Sequence, residues 1–153
     1  MFIALQCATC NKINKNTMSI TNEKELTGMK NASEAVACTL KEMIDYAKPG
    51  MTTKELDEYG AKVLLKFGAK SAPYLTYGFP GWTCISVNNE FCHGIPSDTR
   101  ILEEGDLINI DVSAELDGFW SDNGNSFVLG NINRINNISC SSYWWFLVKY
   151  LRH

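Results

Sequence analysis

Between Asn22 and Ala47 the apolar residues Leu26, Met29, Val36, Leu40, Met43, Ile44 and Ala47 recur at helical spacing. Asn22, with Glu25 three residues on, forms a capping box at the start of this run, and Pro49-Gly50 ends it. A second box, Thr52 with Glu55, opens a helix that carries Leu56, Tyr59, Val63, Leu64 and Phe67 on its apolar side and closes at Gly68. Both helices are amphipathic, so each needs a sheet or another helix to cover its apolar stripe. From Pro73 the period changes. Cys84-Ile85-Ser86-Val87 and Glu90-Phe91-Cys92-His93 flank Asn88-Asn89, whose tolerance of positive φ suits a tight hairpin turn. Leu107–Leu116 and Phe119–Leu129 flank Asp117-Gly118, a stronger hairpin signal. Two helices followed by antiparallel hairpins predict an α+β fold, with the helices on one face of the sheet.

Outside this stretch the pattern fails at both ends. Residues 1–17 show no period and are expected to form a loose extension, with Met18 opening the structured part. Residues 18–130 then make one domain. Residues 131–153 pass through Asn, Ile and Ser to Tyr143-Trp144-Trp145-Phe146 without caps, acids or a sustained period. They are expected to be an out-of-frame or otherwise non-native tail; the alternative is a terminal element that packs its aromatics on the sheet.

Charge sharpens this division. All 17 acidic residues lie between Glu23 and Asp122. Residues 18–130 hold 9 basic and 17 acidic side chains, a net of −8, whereas the two flanks carry five basic residues and no acid. No basic stripe with interleaved aromatics is present, so nucleic acid is not an expected partner. No apolar run approaches the ~18 residues of a membrane span, and Phe2–Leu5 is too short for a secretory signal. A cytoplasmic location with no membrane partner follows. The six cysteines are expected to be free thiols. Cys7-x-x-Cys10 lacks the second pair of ligands that zinc requires.

The candidate chemistry centres on two aspartates. With Asp117-Gly118 as the turn, Leu116 faces Phe119, Ser113 lies opposite Asp122, and Asp111 lies opposite Gly124. Asp111 and Asp122 then project from one face as diagonal neighbours, roughly 7–8 Å apart at the backbone. Both could be polar residues on a solvated face. Against that, Asp111 interrupts the apolar run Leu107–Val112, where an unpaired charge is costly. Two like charges so close also call for a shared cation or proton. Oxygen donors favour Mn, Mg or Fe-type ions. The same logic applied to the first hairpin places Cys84 across from His93. A cysteine nucleophile is disfavoured there, since no third group orients the pair and no helix N-terminus lowers the thiol pKa. A histidine beside the carboxylates, hydrogen-bonding a substrate carbonyl or backbone nitrogen, is preferred over a purely structural one.

Gly78-Phe79-Pro80, Cys84-Ile85-Ser86-Val87-Asn88, Cys92-His93-Gly94-Ile95-Pro96, Gly105-Asp106, Asn109-Ile110-Asp111-Val112, Asp117-Gly118-Phe119 and Asp122 together resemble the N-terminal part of type I methionine aminopeptidases. Lys48-Pro49-Gly50 and Thr53-Lys54-Glu55-Leu56 extend the resemblance to roughly residues 22–130. It implies half of a pita-bread α/β architecture and two divalent metal ions of the Co, Mn, Fe or Zn class. It implies removal of N-terminal methionine from nascent polypeptides by a metal-activated hydroxide. By the same resemblance Asp111 and Asp122 are metal ligands, His93 a catalytic and substrate-contacting residue, and Tyr77, Phe79 and Cys84 substrate-binding positions at the methionine pocket. The family completes its metal site with one histidine and two glutamates from the second half of its fold. After Asp122 this chain offers no glutamate and only His153. The expectation is a truncated chain, inactive alone and prone to self-association through surface the missing half would cover. A non-catalytic peptide- or protein-binding module on the same fold is the alternative.

Overall fold

The computed structural model describes residues 20–130. The extension, Cys7-x-x-Cys10 and the tail from residue 131 lie outside the described residues. Helix α1 (Glu23–Tyr46) begins at the N-cap that the sequence marks, with the Asn22 side chain accepting from the Glu25 N–H at 2.9 Å. The box is only half closed. The Glu25 carboxylate accepts from the N–H and hydroxyl of Thr21 instead of returning to Asn22. Helix α2 (Thr53–Lys66) has the complete reciprocal box, with Thr52 N–H donating to Glu55 at 2.7 Å and Glu55 N–H donating to Thr52 Oγ1 at 3.1 Å. Gly68, at φ +74°, turns the chain out of this helix.

Four antiparallel strands follow: β1 (Lys70–Ser71), β2 (Cys84–Val87), β3 (Leu107–Leu116) and β4 (Phe119–Val128), with a short helix α3 (Ala72–Tyr77) after β1. Strand β3 organises the sheet. Strand β4 pairs with it over its whole length, from Leu116↔Phe119 to Leu107↔Val128. On its other edge β1 meets Ala114 and Glu115, while β2 meets Ile108 to Asp111. Asp117 and Gly118 take positive φ values of 53° and 87°, as a two-residue hairpin loop requires.

Alternation along β3 separates core from site. Ile108, Ile110, Val112 and Ala114 are buried with Ile85 and Val87 of β2 beneath Val36, Leu40 and Met43 of α1 and Leu56 and Leu64 of α2. Both helices therefore cover one face of the sheet. Asn109, Asp111 and Ser113 point to the opposite, partly exposed face.

The expected first hairpin is not formed. Residues 90–93 are not a strand, and β2 takes β3 as its partner, so Asp111, not His93, lies across from Cys84. The turn itself exists, with Asn88 at φ 59°. Its side chain caps the long-range pairing instead: Asn88 Oδ1 accepts from Leu107 N–H at 2.9 Å, and its Nδ2 donates to Asp106 at 2.7 Å. Pairing β2 with β3 buries Ile85 and Val87 in the main core, which a local ladder with polar Glu90 would not do. Strand β1 and helix α3 were not anticipated, both being too short to leave a period.

Candidate functional site

The β3–β4 register sets the two aspartates in place. Asp111 faces Gly124 and Asp122 faces Ser113, so both carboxylates rise from the sheet face away from the helices. Gly124 sits close against β3 beside Asp111; a Cβ there would stand 3.3 Å from the Ile110 carbonyl oxygen and 3.7 Å from Asp111 Cβ. Ser113 donates a short hydrogen bond from its hydroxyl to Asp122 Oδ1. Burial pushes the Asp111 carboxyl up to about 6, with the Asp122 charge and a hydrogen bond to Asp122 adding to the rise and His93 opposing it. Two carboxylates held this close disfavour sharing full negative charge, and a divalent cation relieves that cost. As oxygen donors they fit one side of a hard-cation site. Among the described residues, no group of three or more His, Cys, Asp and Glu side chains gathers to hold a metal.

Beside this pair stands an apolar wall. Cys84 shares a row across the sheet with Asp111 and Gly124 and is 5% exposed. Burial and the nearby Asp111 and Asp122 charges push its thiol up to about 11, so it stands neutral at physiological pH and is not a thiolate nucleophile. Phe79 is buried and meets the Tyr77 ring edge-on, with centroids 6.2 Å apart. Tyr77 remains exposed at the rim, its hydroxyl pKa raised by burial and by Cys84, Asp111 and Asp122. His93 occupies the left-handed region at φ 54° on an exposed segment, within electrostatic reach of Asp111. Its neighbour Gly94 lies flat on β2, accepting from Ile85 N–H at 3.0 Å and donating to Ser86 Oγ at 3.1 Å. A Cβ on Gly94 would fall 2.1 Å from the Ile85 carbonyl oxygen, so only glycine permits this approach. The structure thus gathers Asp111, Asp122 and Cys84, edges the site with Tyr77 and Phe79, and brings His93 in from a loop instead of a strand.

Sequence reasoning missed Asp57. It is fully buried on α2, and its Oδ1 accepts from Trp82 N–H at 3.0 Å, Thr83 N–H at 2.8 Å and Thr83 Oγ1 at 2.9 Å. Lys54 lies 3.9 Å from the other oxygen. Burial raises its pKa while the Thr83 and Trp82 hydrogen bonds and Lys54 oppose the shift. The signal was available: Asp57 falls between Leu56, Gly60, Ala61 and Leu64 on the apolar stripe, where an acid needs a reason.

Two diagonal aspartates thus share one sheet face with the buried Cys84, an arrangement of oxygen donors that fits one side of a divalent-cation site. Residues 27–139 match the model of metallopeptidase family M24, and the chain belongs to that family. The match runs past Gly130 into the segment set apart above as a tail. The chain is 57% identical over 113 residues to methionine aminopeptidase 2 of Bacillus subtilis, covering 74% of this chain and 45% of that protein. It is similar to the crystal structures of methionine aminopeptidase from Thermotoga maritima (31% identity, TM-score 0.70, 74% of this chain and 45% of that one). The Rickettsia prowazekii enzyme is equally similar (32% identity, TM-score 0.71, 86% of this chain and 50% of that one). The helices and antiparallel sheet thus match about half of the pita-bread fold of these neighbours. The chain spans about half the length of the relatives it matches. Among the described residues, no helix is long and apolar enough to cross a membrane.

Proposed function

We propose that this chain supplies the methionine-recognising wall and two metal-binding carboxylates of a methionine aminopeptidase, which removes N-terminal methionine from nascent polypeptides in the cytoplasm. The observation that carries this is the row Cys84–Asp111–Gly124 with Asp122 diagonal to Asp111 on the same face. Two divalent ions of the Co, Mn, Fe or Zn class would supply Lewis acidity and a water of lowered pKa. Asp111 and Asp122 would supply two of the oxygen donors that hold them. Phe79 and Cys84 receive the apolar methionine side chain, Tyr77 closes its rim, and His93 hydrogen-bonds the substrate near its scissile carbonyl. Two carboxylates by themselves hold divalent cations weakly, so Asp111 and Asp122 need further donors to make a tight site that turns over.

Two measurements test this. Incubating the chain with a Met-Gly-type peptide and Mn²⁺ or Co²⁺ is expected to release no methionine; turnover abolished by Asp111→Ala would show that the site is complete after all. Calorimetric titration with Mn²⁺ is expected to give a Kd on the order of 10⁻⁴ M or weaker, the range of oxygen sites with few ligands. That binding disappears in Asp111→Asn. A wild-type chain that binds no Mn²⁺ above its Asp111→Asn background contradicts the metal assignment.

A further inference from the structure

The one fully buried acid of the described residues lies outside the dicarboxylate site, and its hydrogen bonds lead toward the pocket wall. Asp57 sits on α2, yet its acceptor Oδ1 is used by the backbone of Trp82 and Thr83, 25 and 26 residues further on. Those two residues join the segment carrying Tyr77 and Phe79 to the start of β2 at Cys84. The same connection is tied from its other side by Ser71 Oγ, which donates to Trp82 C=O at 2.8 Å. Gly81 lies within it, and a Cβ there would stand 3.0 Å from Pro96 and 3.2 Å from the Phe79 ring. Phe79 is therefore folded back over a connection with little slack.

Resting on the functional reading above, we propose that Asp57 is a positioning residue: its carboxylate clamps Trp82 and Thr83 and so sets the spacing of Phe79 and Cys84, the wall that receives the methionine side chain. An acid is suited to this because one carboxylate oxygen can accept several convergent N–H and O–H donors while satisfying them all in a dry site. A hydrophobic residue of similar size would fill the space but leave two buried amide donors unpaired. Small displacements of a binding wall weaken recognition even when the fold survives.

The test is an NMR titration of the ¹⁵N-labelled chain with L-methionine amide, followed at the Cys84 amide well below each variant's melting temperature. Asp57→Ala is expected to weaken binding about tenfold or more. Asp57→Asn retains an oxygen at the Oδ1 position and is expected to stay within about threefold of wild type. Thr83→Val, which removes only one of the three donors and is the gentler change should Asp57→Ala fail to fold, is expected to fall between them. Val63→Ala, a buried truncation on the same helix, lowers the melting temperature without changing the affinity. If Thr83→Val and Asp57→Ala bind as wild type does, Asp57 merely stabilises the fold and the inference fails while the functional reading stands. If the wild-type chain binds no methionine amide, the functional reading fails and carries this inference with it.

Discussion

Replacing Asp111 by asparagine should stabilise the metal-free chain at neutral pH, although it removes a site residue. In the folded chain the Asp111 carboxyl titrates at about 6, up from 3.8, because burial and the neighbouring Asp122 disfavour its charge. The folded state therefore holds this proton more tightly than the unfolded state. The favourable contribution is fully present below pH ~4 and is lost as pH rises through ~6. Taken at full weight, a shift of this size corresponds to about 3 kcal/mol, and solvent screening of a half-buried group brings it to about 1–2 kcal/mol. Asparagine is close to isosteric, keeps an N–H able to donate to Asp122, and carries no charge. Asp111→Asn should accordingly raise the melting temperature by roughly 5–10 °C at pH 7.5 in EDTA. At pH 3.5, below the unfolded-state value, the gain should nearly vanish. Circular dichroism melts of both chains at the two pH values decide the matter. An equal shift at both values, or destabilisation at pH 7.5, would refute the electrostatic account.

Three further outcomes follow from local geometry. Gly94→Ala should destabilise the chain by more than about 2 kcal/mol, read as a lower urea midpoint, because the new Cβ meets the Ile85 carbonyl. Thr52→Ala should cost about 1 kcal/mol by opening the reciprocal box on α2, whereas Asn22→Ala, at the half-closed box on α1, should cost less in the same urea titration. Brief iodoacetamide treatment of the native chain at pH 8 should modify the exposed Cys92 well before Cys84, which is buried and titrates near 11; peptide mass spectrometry ranks the two.

The second hairpin was legible because its two-residue Asp-Gly loop fixes the register, and the register fixes which face each side chain takes. Placing Asp111 and Asp122 on one face needed nothing more. Both long helices were legible from period and caps, down to Thr52 and Glu55. The first hairpin misled because Asn88 does adopt the positive φ of a turn, yet strand pairing is decided by burial. Only contact with β3 lets Ile85 and Val87 reach the core, and that partner lies some 20 residues away. His93 changed its setting for the same reason. Asp57's place on the apolar stripe of α2 was a legible signal, but its partners were not, since Trp82 N–H and the N–H and hydroxyl of Thr83 belong to a segment 25 and 26 residues away.

Mapping bound Mn²⁺ by its paramagnetic broadening of ¹⁵N–¹H signals tests the central claim most directly. If Asp111 and Asp122 form one side of a metal site, substoichiometric Mn²⁺ should first erase the amides of Asp111, Ser113, Asp122 and Gly124, with Cys84 and His93 next. Asp111→Asn should abolish that order. Broadening that begins elsewhere, for example around Glu55 and Glu58 on α2, or that is unchanged by Asp111→Asn, would contradict it.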